Sequence, residues 1–493
     1  MRKNFLILIK MKFNSLFILG IILLNLFNSV ISGGAADFNG IYLARGFKDV
    51  KNHNPIITQK FSADPGVMEY NGRLYVYATN DGILSTGIPA KNVYSKINTL
   101  NIMSSSDLVN WYDHGTIQVA GSNGVAKWAA SSWAPTAAHK KINGKEKFFL
   151  YFANSGGGIG VLTADSPIGP WTDPLRRPLI TKSTPNCNVE WLFDPAVLVD
   201  NDGNGYLYFG GGVPAGKDAN PNTVRVVKLG ADMISLAGTA KNIDAPWVFE
   251  DSGINKIGNT YFYSYCTNWS NGPLGNAKIG FMTSNNPLGP FTFRGTCFNN
   301  PGEFFGTAGN NHHTIISFKG KVYIFYHAEW LNKQAYGSML GYRTTHVDLM
   351  WMNGNILGNA KGTLTGVTQL SNINPYQTIR SNLIAWQAGI NVYGVGDAAV
   401  SYNRGDWSGI SGVDFGTGAK SITVSAGSSK GAVIRISVDS PSGPVIGYVT
   451  IPNTGGAFKY KSVTAPISNA SGVKNVFFVA SGDLVLETYK FSK

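Results

Sequence analysis

A weak internal repeat is the feature that most constrains how this 493-residue chain can fold. Five segments share a polar or aromatic lead, an apolar run, a turn rich in Gly, Asn or Asp, and an aromatic-rich strand. They begin at Phe61, Ser132, Leu192, Val248 and Asn310. A second hairpin-like stretch follows most of them, which predicts four strands per repeat. The repeats therefore predict an all-β chain whose larger part is a five-bladed β-propeller.

The repeat also predicts which side chains meet. The inner strand of each blade lines the central channel, so matching positions in different blades face one another. We align the lead positions at Asp64, Ala134, Asp194, Glu250 and His312. Three of these residues are acidic, and the alignment predicts that they converge at one mouth of the channel. Taken singly, each acid could be a turn residue or a solvated surface group, but a shared register favours a common site.

Changes in pattern along the chain predict four sections. Residues 1–33 carry basic residues, an apolar stretch and small residues, the arrangement of a cleaved signal peptide, with an uncleaved membrane anchor as the alternative. Residues 34–370 hold the repeats, and residues 371–380 are predicted as a linker. Residues 381–493 contain short, closely spaced strands that indicate a β-sandwich (jelly-roll). We expect a secreted, extracellular protein.

Composition narrows the class of partner. Charged residues make up only 14% of the chain, which carries 27 Phe, 22 Tyr and 11 Trp, so its surface suits an uncharged partner that stacks on aromatic rings, such as a sugar. The net charge of +13 is spread without a Lys/Arg run, so we expect neither nucleic-acid binding nor membrane contact of the mature form. We expect a monomer. Of the three cysteines, Cys266 and Cys297 are the predicted pair.

Three converging carboxyls point to a particular chemistry. Hydrolysis of a glycosidic bond needs one acid on the leaving oxygen and a base or nucleophile opposite it. A third carboxyl can tune the acid or hold the sugar. The predicted site therefore fits a glycoside hydrolase.

Five motifs resemble glycoside hydrolase family 43. They are ADP at 63–65, WAP at 133–135, FDPAVLVDNDG at 193–203, FEDSGINK at 249–256 and GYR at 341–343. The resemblance implies a five-bladed propeller that hydrolyses glycosides with inversion, using an Asp base, a Glu acid and an Asp that modulates the pKa of the acid. It implies no cofactor for the chemistry.

The resemblance assigns roles to individual residues. Asp64 corresponds to the general base, Glu250 to the general acid, and Asp194 to the carboxylate that raises the pKa of the acid and orients it. The family's acid motif has Lys six residues after the Glu, a spacing that selects Glu250 over Asp251. Arg343 corresponds to an arginine that contacts the sugar near the base.

Neighbouring residues are further candidates for the site. Trp133, Trp191 and Phe193 stand beside the acids and are predicted to stack on a sugar, although each could equally belong to a blade core. His312 is a candidate substrate contact. The resemblance also implies that His312 or His313 lies near a structural calcium ion on the channel axis, through water; a buried, hydrogen-bonded imidazole is the alternative.

The C-terminal section resembles a family 6 carbohydrate-binding module. The resemblance is carried by AWQAGI at 385–390, the stretch 403–421 and IPNTGGAF at 451–458. It implies sugar contacts by Tyr402, Trp407 and Phe458, with Phe458 where the family has Trp. A purely structural sandwich, or a different binding face, is the alternative.

The motifs EDSGINK and NNHHT, together with such a module, look most like α-L-arabinofuranosidases that remove arabinose from arabinoxylan in hemicellulose degradation. The predicted partner is a plant cell-wall polysaccharide: arabinoxylan, arabinan or xylan. A β-xylosidase or endo-arabinanase on the same fold is the alternative enzyme. A non-catalytic polysaccharide-binding propeller is the alternative of a different class.

Overall fold

The computed structural model describes residue 34 and residues 37–269, 272–396 and 398–493. The predicted signal peptide at residues 1–33 lies outside the described residues. Within them, five antiparallel sheets follow one another in chain order and form the blades. The first blade consists of β1 (Lys60–Tyr70), β2 (Arg73–Ile83), β3 (Thr99–Ser105) and β4 (Trp111–Gln118). The second consists of β5 (Trp133–Ile142), β6 (Lys145–Ala153), β7 (Gly158–Ala164) and β8 (Ile180–Thr181).

The next three blades follow the same order. The third consists of β9 (Ala196–Val199), β10 (Gly205–Gly210), β11 (Val224–Lys228) and β12 (Lys241–Ile243). The fourth consists of β13 (Val248–Ile257), β14 (Thr260–Thr267), β15 (Ile279–Ser284) and β16 (Thr292–Phe298). The fifth consists of β17 (His313–Phe318), β18 (Lys321–Ala328) and β19 (Thr344–Met350), followed by a separate hairpin of β20 (Met352–Asn353) and β21 (Ile356–Leu357). In the described chain this blade therefore has three strands, where four were predicted.

Among the described residues from position 37 onward, helix is confined to short connections. The helices are α1 (Gly302–Phe305) and α2 (Trp330–Tyr336), with one 3₁₀ turn at Tyr94–Lys96. The search of the described residues for a helix of membrane-spanning length and apolarity returned none.

The inner strands close into a ring. Strands β1, β5, β9, β13 and β17 each contact the next, and β17 contacts β1. The approach is so close that a Cβ atom on Gly66 would lie 2.0 Å from the carbonyl oxygen of Pro135, which only glycine tolerates. Apolar clusters shared by neighbouring blades hold the ring together, and the one that contains Leu74 and Phe325 joins the first blade to the last. The prediction of a five-bladed propeller is confirmed.

A bulge in the inner strands decides where the carboxylates sit. The register shifts after Ala63 in β1, after Trp133 in β5 and after Glu250 in β13. The residue that follows each shift has a positive φ: 49° at Asp64, 42° at Ala134 and 67° at Asp251. We call this the bulge position; Asp194, with φ of 48°, occupies it in the third blade. Such backbone is costly for non-glycine residues, and active sites commonly retain it.

The bulge corrects one predicted alignment. Asp251, not Glu250, corresponds to Asp64 and Asp194, and Glu250 stands one residue earlier, at the place that Trp133 has in the second blade. The sequence comparison missed this because an acidic pair at 250–251 satisfies either register, and only the backbone conformation separates the two.

Two packed sheets form the C-terminal sandwich. One contains β25 (Asn391–Tyr393), β26 (Ala399–Tyr402), β33 (Leu484–Ser492), β28 (Ser421–Gly427) and β31 (Lys461–Pro466), with β22 (Ile379–Arg380) paired to β33. The other contains β24 (Trp386–Ala388), β27 (Trp407–Asp414), β32 (Val473–Ala480), β29 (Ala432–Val438) and β30 (Val445–Ile451). Inward side chains such as Val424, Ile436 and Phe478 form its core. The predicted sandwich is confirmed.

The sandwich is joined to the propeller by hydrogen bonds as well as by chain connectivity. Strand β23 (Leu383–Ile384) pairs with β4 and so becomes the fifth strand of the first blade. The predicted linker at residues 371–380 is held on the sandwich side, where Ile379 and Arg380 pair with β33. The segment before the first blade also crosses the junction, since the amide of Ala44 donates to the carbonyl oxygen of Gly405 at 2.9 Å.

The cysteines differ from expectation. Cys187, Cys266 and Cys297 all lie in the described ranges, and all are buried free thiols. Cys266 and Cys297 belong to the apolar cluster between the fourth and fifth blades, so they contribute packing and not a cross-link.

Candidate active site

A cavity of about 510 Å³ collects most of the predicted site residues at one end of the inner-strand ring. Its lining includes seven of them: Asp64, Trp133, Phe193, Asp194, Glu250, His312 and Arg343. Trp191 is not among the described residues that line it. Its ring stands behind the wall, in edge contact with Phe193 at 5.5 Å and with Phe249 at 5.1 Å between centroids. The predicted stacking of Trp191 on a sugar in this cavity is therefore corrected to support of that wall.

Asp64 is held as a carboxylate. One terminal nitrogen of the Arg343 guanidinium donates to Oδ1 of Asp64 at 2.8 Å. Its Nε and its other terminal nitrogen donate to the Asp81 carboxylate at 2.8 and 2.9 Å. All three side chains are buried. Burial alone would raise the pKa of Asp64, but Arg343 and the contact with His327 outweigh it and hold the pKa well below its usual range. At neutral pH this group is an ionised base.

Glu250 has the opposite character. Burial raises its pKa to about 8, and the negative charges of Asp251 and Asp64 add to the effect. Its Oε1 is buried without a hydrogen-bond partner among the described atoms. A carboxyl in this environment retains its proton at neutral pH, so Glu250 can serve as an acid.

Asp194 shares the electrostatic environment of Glu250. Burial raises its pKa, and the charges of Glu250, Asp64 and Asp251 raise it further, while the amide of Asp251 donates to its Oδ2 at 3.0 Å and lowers it. The mutual repulsion of Asp194 and Glu250 disfavours a second charge on the pair. The structure adds Asp251 as a further like charge beside Glu250, a contribution that the sequence did not predict.

The two adjacent histidines have different surroundings. His312 faces the cavity, with its Nε2 atom 3.2 Å from Oδ1 of Asp251 and its Nδ1 atom 3.7 Å from Oδ1 of Asp64. His313 is fully buried; its Nδ1 donates to Asp251 and its Nε2 lies 2.7 Å from the hydroxyl of Ser264. His313 thus matches the alternative reading of a buried, hydrogen-bonded imidazole.

These side chains do not form a calcium coordination shell. Calcium takes about six to eight oxygen ligands, whereas the His312 nitrogens are directed at carboxylates and His313 is fully paired. Among the described residues, no cluster of three or more His, Cys, Asp or Glu side chains is arranged to hold a metal ion. A calcium ion held through water stays a prediction, and no catalytic step depends on it.

Sequence reasoning missed several residues that build the site. Asp81 at the end of β2 orients Arg343, and the ring of Tyr94 lies 4.6 Å from the guanidinium carbon. Asn310 forms a side-chain hydrogen bond to Glu250, and His327 contacts Asp64. Asn310 lies in the NNHHT motif and His327 ends the fifth repeat, whereas Asp81 and Tyr94 lie outside the repeats. None of the four was predicted at the site, because their contacts form between distant strands.

In the sandwich, the predicted sugar contacts separate into buried and exposed residues. Tyr402 is buried and its hydroxyl pairs with that of Ser408 at 2.6 Å. Trp407 is buried against the segment before the first blade, where its Nε1 donates to the carbonyl oxygen of Ala44 at 2.9 Å. Neither ring can receive a sugar, which corrects those two predictions. Phe458 is 56% exposed and stands at 5.8 Å from the half-exposed ring of Tyr393.

The propeller cavity holds one protonated carboxyl, Glu250, and one ionised carboxylate, Asp64. This pair of an acid and a base is the arrangement of the glycoside hydrolases. Residues 52–356 match the family model for glycosyl hydrolases family 43, and the chain belongs to that family. Residues 384–493 match the model for carbohydrate binding module (family 6). Both predicted family resemblances are confirmed.

Individual relatives agree with this assignment. The chain is 45% identical over 474 residues to an arabinoxylan arabinofuranohydrolase of Paenibacillus polymyxa, covering 90% of this chain and 74% of that protein. It is 46% identical over 465 residues to one from Bacillus subtilis (strain 168), covering 88% and 90%. A crystal structure of a family 43 arabinoxylan arabinofuranohydrolase from Bacillus subtilis, in complex with cellotetraose, superimposes with a TM-score of 0.87 at 44% identity, covering 90% of this chain and 98% of that one.

Proposed function

We propose that this protein removes α-L-arabinofuranosyl side chains from arabinoxylan, with Asp64 as general base, Glu250 as general acid and Asp194 as the carboxylate that tunes the acid. The observation that carries the proposal is the opposed protonation of two buried carboxyls in one cavity. The relatives named above, which act on arabinoxylan by name, support the choice of substrate.

The proton transfers follow from this arrangement. Glu250 gives its proton to the glycosidic oxygen, so the bond to the anomeric carbon breaks and the xylan chain leaves as an alcohol. Asp64 accepts a proton from a water molecule, whose oxygen forms the new bond to the anomeric carbon. Attack from the face opposite the leaving group gives inversion. The carboxyls then exchange protons with solvent and return to their starting states.

Electrostatics keep the two roles apart. Arg343 stabilises the ionised form of Asp64, and Asp81 fixes Arg343 through two hydrogen bonds. Glu250 has no cation directly against its carboxyl, and burial beside Asp251 and Asp194 favours its protonated form. Because pKa values on either side of neutrality belong to different carboxyls, the acid and the base do not exchange roles at neutral pH.

The cavity wall supplies sugar contacts. The rings of Trp133 and Phe193 line the cavity beside the carboxylates and present apolar faces suited to a sugar ring. Trp133 is fixed by a hydrogen bond of 3.0 Å from its Nε1 to the carbonyl oxygen of Tyr94. His312 is placed to contact a sugar hydroxyl from the same wall.

The sandwich supports action on a polymer. We infer that Phe458 and Tyr393, the exposed aromatic pair, contact the polysaccharide in place of the buried Tyr402 and Trp407. We also propose that residues 1–33 direct export, since arabinoxylan lies outside the cell that degrades it.

Product analysis tests the proposal. Purified protein is incubated with wheat arabinoxylan, linear xylan and debranched arabinan, with a Glu250→Gln variant beside it. Free arabinose from arabinoxylan alone, absent with the variant, is the expected result, and proton NMR at early times should show the inverted anomer first. Xylose or arabino-oligosaccharides would move the substrate to that of a β-xylosidase or endo-arabinanase. The absence of product from every polymer would contradict the enzyme assignment.

A further inference from the structure

His327 on β18 connects the two sides of the active site, although no cavity-lining role is evident from its sequence position. The ring is 1% exposed. Its Nε2 lies 2.9 Å from the backbone carbonyl oxygen of Asn310, and its Nδ1 lies 3.0 Å from the backbone nitrogen of Asp64. The same Nδ1 is 3.1 Å from Oδ1 of Asp64. One imidazole therefore contacts the base residue with one nitrogen and the loop before β17 with the other.

The partners determine the tautomer of this ring. A backbone carbonyl only accepts hydrogen bonds, so Nε2 of His327 carries a proton. In the neutral ring Nδ1 is then an acceptor, and the amide of Asp64 donates to it. Asp64 has a φ of 49°, an unfavourable conformation that persists only where its surroundings enforce it. His327 supplies the acceptor for the amide of this bulge position.

Asn310 extends the connection to the acid. Its side chain forms a hydrogen bond to Glu250 that favours the ionised carboxylate and so opposes the raised pKa of that residue. Its carbonyl group is the one that His327 holds. The chain of contacts runs from the Asp64 amide through the imidazole to Asn310 and on to Glu250.

We propose that His327 is a positioning residue that fixes the general base Asp64 and, through Asn310, the general acid Glu250 relative to each other. This proposal rests on the roles given to Asp64 and Glu250 above. The His327 ring is not among the described residues that line the cavity, so it acts on the reaction through Asp64 and Asn310. A displacement of about 1 Å between catalytic groups costs about a hundredfold in rate.

Two variants separate the two contacts of the ring. In His327→Asn the amide oxygen takes the place of Nδ1 and still accepts from Asp64, but nothing reaches Asn310. In His327→Gln the amide nitrogen takes the place of Nε2 and still donates to Asn310, but the acceptor for Asp64 is lost. We expect kcat on an arabinoxylo-oligosaccharide, whose sugar leaving group needs the acid, to fall about ten- to a hundredfold in both, with little change in KM.

The pH profile distinguishes the variants. In His327→Gln the Asp64 amide loses its acceptor, and the carboxylate is no longer held against Arg343, whose charge keeps the pKa of Asp64 low. That pKa therefore rises, and the acidic limb of kcat moves to higher pH. Loosening of Asn310 in His327→Asn weakens a bond that lowers the pKa of Glu250. That change moves the alkaline limb to higher pH.

Other charges at the site are unchanged by these substitutions. Asp64 also faces Arg343 and His312, and Glu250 also faces Asp251, Asp64 and Arg343. The His327 ring itself lies 6.1 Å from that of His312, and its charge also acts on His346 of β19. Because both variants remove the same imidazole ring, any difference between their profiles comes from the contact that each one keeps.

His346→Gln is the matched control, because His346 is equally buried, stacks on Tyr326 and has no contact with the catalytic carboxyls. We expect a lower Tm with both limbs at their wild-type positions. Equal loss of kcat in the two His327 variants with unmoved limbs would reduce His327 to a structural residue, and retention of kcat within about twofold would also overturn the proposal.

Three further variants secure the interpretation. If the His327 variants do not fold, Asn310→Ala, at a half-exposed position, decides the matter: an alkaline limb at higher pH supports the link, and an unmoved limb overturns it. Asp64→Asn and Glu250→Gln, measured alongside on arabinoxylan, test the proposed function itself. Wild-type rates in those two would refute the catalytic roles whatever His327 does.

Discussion

The propeller cavity and the exposed edge of the sandwich present aromatic rings to sugar in opposite settings. In the cavity, Trp133 and Phe193 stand beside the buried Asp64 and Asp194 and beside Glu250, whose Oε1 is buried. At the sandwich edge, Phe458 and Tyr393 are half-exposed, and neither lines the cavity that holds the site carboxyls. Removal from water shifts the pKa values on which proton transfer depends, whereas stacking on a polymer needs only an accessible ring. The cavity is therefore suited to proton transfer, and the sandwich edge is suited to attachment to the polymer.

The largest expected effect is a loss of catalytic rate from substitutions in the cavity alone. Asp64→Asn and Glu250→Gln should each lower kcat on arabinoxylan by about a hundred- to ten-thousandfold, because a positioned base or acid contributes that much. An aryl arabinofuranoside with an acidic phenol leaving group needs little help from the acid. Glu250→Gln should therefore recover on that substrate, while Asp64→Asn stays inactive. Equal behaviour of the two variants on both substrates would contradict the assignment of acid and base.

The next effect tests whether the sandwich and propeller form one unit. Trp407→Ala should destabilise the protein by about 3 to 5 kcal/mol, since it removes a buried indole at the junction. Trp351→Ala, at a ring that is 62% exposed, is the control and should change stability by less than about 0.5 kcal/mol. Urea unfolding measures both. If Trp407→Ala retains both wild-type stability and wild-type activity, the junction contributes little to the stability of the protein.

A smaller effect sharpens the electrostatic account of the cavity. The acid must be protonated, and Glu250 has a pKa of about 8, so activity should fall as the pH rises through about 8. Asp194→Asn removes a carboxyl that shares its charge repulsion with Glu250, so it should lower the pKa of Glu250 and move the alkaline limb to lower pH. A pH profile of kcat/KM on an arabinoxylo-oligosaccharide, whose sugar leaving group needs the acid, reports the free enzyme. A limb that stays in place would show that burial, Asp251 and Asp64 set this pKa without Asp194.

The smallest effect concerns the sandwich edge. Phe458→Ala and Tyr393→Ala should each weaken binding to insoluble arabinoxylan about two- to tenfold, the range expected for loss of one aromatic contact. Turnover of a small aryl arabinofuranoside should not change. A pull-down with the polymer measures the binding, with Trp351→Ala as a control for a lost surface ring. Unchanged binding in both edge variants would favour a purely structural sandwich.

The repeats were sufficient to predict much of this molecule. Turns such as Asn71–Gly72 and Asn143–Gly144 have the positive φ angles that two-residue hairpins require, so blade hairpins could be located from local residues. Asp64, Asp194 and Glu250 were also found from local motifs, and the structure brings all three to one cavity. The signal lay in short-range patterns that each blade repeats.

Only the tertiary structure decided how the site is completed. Asp81 meets Arg343 across 262 positions of chain, and His327 meets Asp64 across 263, distances over which no local pattern carries information. It also decided that Asp251 occupies the bulge position, that Trp191 backs the wall, and that Tyr402 and Trp407 are buried. The sequence by itself determined the strands, the turns and the three carboxyls that we propose to react, because these depend on neighbouring residues. Which groups lose contact with water, and so which pKa values shift, was decided by packing between distant strands.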